Sequence, residues 1–341
     1  MTLPIRIPLP PMEAKPVDVL PTGDTWQYEP KWDGFRCIVF RDGANVYLQS
    51  KSSKPLARYF PELVDAVRRL KPKQFVIDGE IVVPVGEKLS FDDLLMRIHP
   101  AASRIRKLAD ATPGWLIVFD LLASGSKTSL LDKPLEYRRA RLESFAEKYF
   151  AESPTMRLSP ATNDARAARR WLELNADLDG IIAKRTDMGY RSGERDGMQK
   201  LKQYRSADCV VGGFRYSSNA KTVGSLLLGL YDRNKRLNHV GFTSGFTAKQ
   251  RKELLARIEP LRGPPGFTGD APGGPSRWAT ERSTQWEPLR HELVVEVEYD
   301  HFTGGRFRHG TRFMRWRPDK APELCTYHQL GAEGEGALSM L

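Results

Sequence analysis

Lys31 lies in Glu29-Pro30-Lys31-Trp32-Asp33-Gly34-Phe35-Arg36, at the end of an apolar run, with an arginine five positions on. Its amine is a nucleophile only if it loses its proton, which a free lysine keeps up to a pKa of about 10.4. Nearby cations or a bound metal lower that value and release the amine. A plainer account competes. Asp-Gly between apolar runs is a strong hairpin signal, and the chain holds five such pairs. Asp42-Gly43, between Phe40 and Val46, needs nothing more, and alone the Lys31 segment favours the turn.

Four further segments could complete a site. Phe75-Val76-Ile77-Asp78-Gly79-Glu80 places a glutamate on the returning strand of an expected hairpin, among apolar residues. Buried there, the acidic pair of Asp78 and Glu80 is costly unless a metal, a hydroxyl or a cation satisfies it, and a solvent-facing Glu80 is an equal reading. Phe119, near the end of an apolar run from Trp115, could stack on a purine or simply fill a core. Asp179 precedes Gly180 and an apolar run ending at Lys184-Arg185. Lys200 and Lys202 fall on one face of a strand by alternation. Their repulsion costs up to about 1 kcal/mol unless an anion lies between them, and a solvated face is the default.

The last segment, Arg306 to Lys320, sets six basic residues (Arg306, Arg308, Arg312, Arg315, Arg317, Lys320) against Asp319, with Phe307, Phe313 and Trp316 interleaved. Arginine forks match phosphate geometry and the aromatics can stack. This density of charge makes an ordinary exposed strand the weaker reading.

The elements that must position these residues are short. Strands are expected over Thr25–Phe40, Asn45–Gln49, Gln74–Pro84, Gly114–Leu122 and Leu178–Lys184. Helices are expected over Pro61–Leu70, Phe91–Arg97, Leu135–Phe150 and Asp164–Asn175, with Pro61 at a first helical position and Asp164 near an N-cap. Hairpins outnumber strand-helix alternations, so the class is α+β. Beyond about residue 205, strands at Ala207–Phe214, Ser225–Asp232, Arg236–Phe242 and Leu293–Tyr299 with a helix at Thr247–Ile258 suit a small β-barrel of the OB-fold kind. The Gly/Pro-rich stretch Arg262–Ser276 reads as a mobile surface loop. The expected domains are 1–204 and 205–341.

The formal net charge of +11 attracts polyanions, nucleic acid above all, although basic proteins that never touch it exist. Three cysteines with no CxxC pair argue against zinc and disulfides and for a reducing, cytoplasmic setting. No apolar run is long enough to span a membrane, and Met1–Pro11 lacks the apolar stretch of a secretory signal.

Together and in this order, the six segments resemble the motifs of the covalent nucleotidyltransferases: ATP-dependent DNA ligases, RNA ligases and mRNA capping enzymes. The resemblance runs from Glu29 to Lys320 and is nearest to bacterial ATP-dependent DNA ligases of the C and D types. Arg315-Trp316-Arg317-Pro318-Asp319-Lys320, Gly180-Ile181-Ile182-Ala183-Lys184-Arg185 and Phe60-Pro61-Glu62-Leu63 carry it. It implies an adenylation (nucleotidyltransferase) domain of antiparallel sheets and helices, followed by the OB-fold domain. Lys31 would attack the α-phosphate of ATP and carry AMP. Glu29 would meet the adenine, Phe119 would stack on it, and Arg36 and Glu80 would hold the ribose. Asp179, with Glu80, would bind Mg²⁺ or Mn²⁺. Lys200 and Lys202 would contact the α-phosphate, and Lys184 completes the nucleotide-binding set. Arg315, Arg317, Asp319 and Lys320 would orient the leaving pyrophosphate.

Two positions depart from the family. It usually has Glu where Asp179 stands, and arginine where Lys51 would meet the 5′-phosphate of a nick with a point charge in place of a fork. The implied partner is nicked double-stranded DNA, met by a monomer in the bacterial nucleoid. Ku-type end-binding proteins or a primase-polymerase follow by resemblance only, in DNA repair or end joining. Alternatives remain: an RNA ligase, a GTP-dependent capping-type enzyme, or a non-catalytic nucleic-acid-binding protein. The last would need neither Lys31 nor acids at 80 and 179. NAD as donor is disfavoured by the missing zinc cysteines.

Overall fold

The computed structural model describes residues 2–125, 127–174, 178–217, 220–273, 285–330 and 337–341. The chain divides into two compact units, Met1–Gln203 with Glu333–Leu341, and Tyr204–Ala332. The expected division put the C-terminal tail in the second domain; here Ala337 packs with Trp32, Val82, Ile117 and Leu178 of the first unit.

The first unit is built on two sheets. One has the order β1 (Lys15–Pro16), β11 (Met198–Lys202), β10 (Gly180–Arg185), β2 (Trp26–Lys31). The other runs β4 (Asn45–Ser50), β3 (Phe35–Asp42), β5 (Gln74–Val82), β8 (Trp115–Ser124), β9 (Met156–Leu158). A small hairpin joins β6 (Pro84–Val85) to β7 (Lys88–Leu89). Period-two alternation decides what each face of the larger sheet carries. Cys37, Val39, Phe75, Ile77, Leu116 and Val118 point into a core with Leu63 and Val67 of α1 (Pro61–Arg69) and Leu142 and Phe145 of α4 (Leu135–Tyr149). Burying such side chains contributes about 1.5–3 kcal/mol each. The opposite face carries Ile38, Phe40 and Val76 against Ile5, Leu9 and Met12 of the N-terminal segment. The same alternation puts Arg36, Asp78, Glu80 and Phe119 on that second face.

Two sequence expectations fail here for one reason. Thr25–Phe40 is not one strand: β2 and β3 belong to different sheets, and Asp33-Gly34 is the crossing between them. Asp78-Gly79 makes no hairpin, because β5 runs straight through it. In both cases glycine admits neighbouring backbone. A Cβ on Gly34 would lie 2.2 Å from the Ile81 carbonyl oxygen. Asp42-Gly43 does turn between paired strands, β3 and β4.

Pro61 opens α1 as expected. Asp164 accepts from the Arg166 N–H at 2.8 Å, at the start of α5 (Ala165–Leu174). The expected end of that helix at Asn175 lies outside the described residues. α2 spans Phe91–Met96 with Ser90 capping it. A further helix, α3, not among those expected, spans Ala102–Ala111 with no side-chain cap.

In the second unit, β12 (Arg205–Ser217), β13 (Ala220–Tyr231), β14 (Leu237–Thr243), β16 (Val294–Tyr299) and β19 (Arg312–Trp316) form an antiparallel sheet in the order β14-β13-β12-β16-β19. The short β15 (Glu287–Pro288) joins at β12, and β17 (Phe302–Thr303) pairs with β18 (Arg306–Phe307). The expected barrel is OB-like but its sheet is not closed: the end strands meet at one isolated bridge, Thr243 with Thr311. α6 (Ala248–Ile258) packs on this sheet through Leu254 and Ile258, and Thr247 and Gln250 form a capping box at its start. The stretch expected to be a mobile loop is stitched down in its described part: Phe267 is in the core, and the His239 N–H donates to the Asp270 carbonyl at 2.8 Å. Residues 274–276 of that stretch lie outside the described residues.

Candidate active site

Register builds the site. Across β2, β10 and β11, Lys31 stands opposite Gly180 and Gly180 opposite Lys202, while Glu29, Ile182 and Lys200 form the next row. Alternation therefore gives one face Glu29, Lys31, Lys184, Lys200 and Lys202. Gly180 is required: its φ is +148°, and a Cβ there would lie 2.1 Å from the Leu201 carbonyl oxygen. Opposing this face, β3, β5 and β8 contribute Arg36, Glu80 and Phe119. Glu29, Lys31, Arg36, Lys51, Glu80, Phe119, Lys184 and Lys200 line a single pocket of ≈ 190 Å³.

The charges inside it are tightly held. Lys184 donates to Glu29 Oε2 at 2.7 Å and Gln27 to Glu29 Oε1 at 2.8 Å, so both oxygens of this buried carboxylate are engaged. The Lys184 ammonium also lies 4.5 Å from the centre of the Phe119 ring, and the Arg36 guanidinium 4.6 Å. Arg36 grips Asp78 with two hydrogen bonds, 2.6 and 2.7 Å, and the Tyr190 hydroxyl donates to the same carboxylate at 2.6 Å. Burial opposes the charge on Arg36, but Asp78 outweighs it and raises its pKa further. Below this lies a second buried fork, Arg138 on Asp120, with both bonds at 2.8 Å.

Lys31 hydrogen-bonds to Asp179. Burial lowers its pKa to about 8, with Glu80 and Asp33 opposing and Lys202 and Lys200 adding to the fall. Contact with Asp179 favours the ammonium, so whatever takes over that carboxylate releases the amine. Burial pushes Glu80 up to about 7 against the pull of Arg36 and Lys31, while Asp78 and Asp33 add to the rise. Glu80 is thus a half-buried carboxyl with too little positive charge around it. That deficit and the all-oxygen donor set of Asp179 and Glu80 fit a hard divalent cation.

The remaining candidates lie elsewhere. Lys202 is outside the pocket lining and acts on Lys31 through its charge. Arg315, Arg317, Asp319 and Lys320 gather in the second unit. Arg315 bonds Glu296 at 2.6 Å, Arg317 bonds Asp208 at 2.9 Å and Asp319 at 2.8 Å, and Lys320 lies 3.5 Å from Asp208. Arg312 takes Glu298 in a two-pronged bond at 2.8 and 2.9 Å. Two members of the basic run, Arg312 and Arg315, are answered across the strands, because β19 lies in register with Glu298 and Glu296 of β16.

Sequence reasoning missed Gln27 and Tyr190 as partners of site residues, while the hydroxyl or cation expected to satisfy a buried Asp78 is supplied by Tyr190 and Arg36. Tyr190 lies 112 positions from the aspartate it bonds, and no local signal links them.

Residues 11–202 match the ATP dependent DNA ligase domain family, and residues 219–320 the ATP dependent DNA ligase C terminal region. The chain is 46% identical to DNA ligase C1 of Mycolicibacterium smegmatis, over 97% of this chain and 96% of that protein. It is 30% identical to the multifunctional non-homologous end joining protein LigD of Pseudomonas aeruginosa, over 92% of this chain and 36% of that protein. A solved Lig E DNA ligase shares the fold with a TM-score of 0.54, at 17% identity over 90% of this chain and 98% of that one.

Proposed function

The chain belongs to the ATP-dependent DNA ligases, and from that premise we propose that Lys31 is the residue that takes up AMP. ATP is the AMP donor and a divalent metal assists, as throughout the family. The observation that carries the residue assignment is the Lys31 amine itself: half-buried in the pocket, with its pKa lowered to about 8, and in contact with Asp179.

The deprotonated Lys31 amine attacks the α-phosphorus of ATP, forming an N–P bond as pyrophosphate leaves. Glu29, Lys184 and Phe119 receive the base, and Arg36 with Glu80 the ribose. Lys200 and Lys202 stabilise charge that develops on the phosphoryl oxygens. Asp179 and Glu80 would hold a divalent cation, which would supply neutralisation of phosphate charge. Arg315, Arg317, Asp319 and Lys320 of the second unit orient the pyrophosphate. The Arg315 side chain, 65% exposed, can exchange Glu296 for it. AMP then passes to the 5′-phosphate of the nick and Lys31 regains its amine. The 3′-hydroxyl attacks that activated phosphate, and AMP leaves as the strand is sealed.

The domain division at 203/204, monomeric action and a cytoplasmic, nucleoid setting belong to the same reading. No helix among the described residues is long and apolar enough to cross a membrane. The end-joining name of the Pseudomonas relative supports a place in DNA repair beside Ku-type or primase-polymerase proteins.

Incubation with α-labelled ATP or GTP and Mg²⁺, followed by a denaturing gel, tests the assignment. Label should come from ATP alone, disappear in Lys31→Ala and be chased off by nicked duplex. A Lys31→Ala protein labelled at full level would sink it.

A further inference from the structure

The mouth of the pocket holds a charge that the chemistry above does not use. Glu13 lines it with Lys51 and Lys200. Its carboxylate lies 3.6 Å from the Lys51 ammonium and 3.2 Å from the Arg195 guanidinium. It also opposes the fall in the Lys200 pKa that burial, Lys51, Lys202 and Arg195 produce, so its field reaches that ammonium too. One acid therefore sits among Lys51, Arg195 and Lys200. Burial raises the Glu13 pKa, but Lys51 and Arg195 outweigh it and hold the group ionised.

The acid is fixed while two of its cations are not. The Glu13 N–H donates to the Glu194 carbonyl at 2.8 Å, and the Met12 N–H to the Tyr190 hydroxyl at 3.0 Å. Lys15–Pro16 then pairs with β11 beside Lys200. The side chains of Lys51 and Arg195, in contrast, are 63% and 67% exposed and can turn to a new partner.

We propose that Glu13 is a resident anion, occupying among Lys51, Arg195 and Lys200 the place that the 5′-phosphate of a nick takes over. This rests on the reading that Lys51 meets that phosphate. A terminal phosphate brings about 1.5 to 2 negative charges and three acceptor oxygens, against one charge on the carboxylate. Exposed ion pairs are weak, so Glu13 yields its partners readily. A 5′-hydroxyl end brings no anion and leaves Glu13 in place. Sealing turns the phosphate into a diester of single charge, with which Glu13 competes on even terms, and this favours release of the product.

The test measures binding of the full chain to duplexes nicked with a 5′-phosphate or a 5′-hydroxyl, at one salt concentration and in EDTA so that nothing is sealed. Glu13→Gln should tighten binding of the phosphorylated nick by roughly threefold to fivefold, the scale of an exposed ion pair. It should leave the 5′-hydroxyl nick unchanged, and Glu13→Ala should move in the same direction. Lys51→Ala should weaken the phosphorylated nick. Unchanged, weaker or equally tightened binding of both nicks in Glu13→Gln, with Lys51→Ala still weakened, would overturn the proposal and leave the Lys51 reading standing. If Lys51→Ala binds like the parent, or the parent does not distinguish the two ends, both readings fall.

Discussion

Arg36 in the first unit and Arg315 in the second each meet a carboxylate at 2.6 Å, yet they do different work. Arg36 is 19% exposed on an Asp78 that is fully buried, while Arg315 is 65% exposed on a Glu296 that is itself partly open. Asp78 is also bonded to Tyr190, and Arg36 lies over Phe119, so moving either charge disturbs the pocket wall. Nothing comparable backs Arg315 beyond its acid neighbours. A buried pair sets the shape of a binding site. An exposed pair costs little to open and so suits a cation that must change partners during a reaction.

This contrast can be sharpened by breaking each pair. Asp78→Ala leaves the Arg36 cation buried without its carboxylate and should cost about 3–5 kcal/mol in denaturant unfolding. Arg315→Ala should cost under about 1 kcal/mol in the same measurement and act on self-adenylation instead. If Arg315→Ala proved the more destabilising, the comparison would be reversed.

Next in size is Gly180→Ala, which forces β11, with Lys202 and Lys200, away from β10. A shift on the order of 1 Å should slow self-adenylation roughly 100-fold. Gly43→Ala is the control: its φ is +62° but no atom lies within 4 Å of the added Cβ, so adenylation should be unchanged.

The pH profile separates the buried charges again. Lys31 reacts as the free amine, so with its pKa at about 8 the single-turnover rate of self-adenylation should fall below that pH, about tenfold per unit, and level off above it. Lys202 lowers that pKa, so Lys202→Ala should move the bend to higher pH, whatever it does to the plateau. A bend that moved down or stayed in place would contradict the like-charge argument. The smallest effect is expected from Thr247→Ala, which removes the capping box of α6 for about 1 kcal/mol of stability and leaves adenylation intact.

What could be read from the sequence was mostly what local pattern controls. Alternation in Lys200-Leu201-Lys202, the proline start of α1 and the Asp164 cap of α5 all act within one strand or one turn of helix. The Asp-Gly pairs show where such reading ends. Asp33-Gly34 and Asp78-Gly79 carry the same hairpin signal as Asp42-Gly43, but in them glycine makes room for a strand distant in sequence. The Asp78 clamp on Arg36 spans 42 positions, and the acids that answer Arg312 and Arg315 belong to β16. Long-range pairing of this kind follows from register, which no short motif encodes. α3 was illegible for a simpler reason: its start carries no capping side chain.

The most direct test of the central claim is to find the adenylated residue. The protein would be incubated with ATP and a divalent metal, denatured, digested and mapped by mass spectrometry for the AMP-bearing peptide. The account predicts AMP on Lys31 and on no other lysine. AMP on Lys184, Lys200 or Lys202, with Lys31 unmodified, would contradict it.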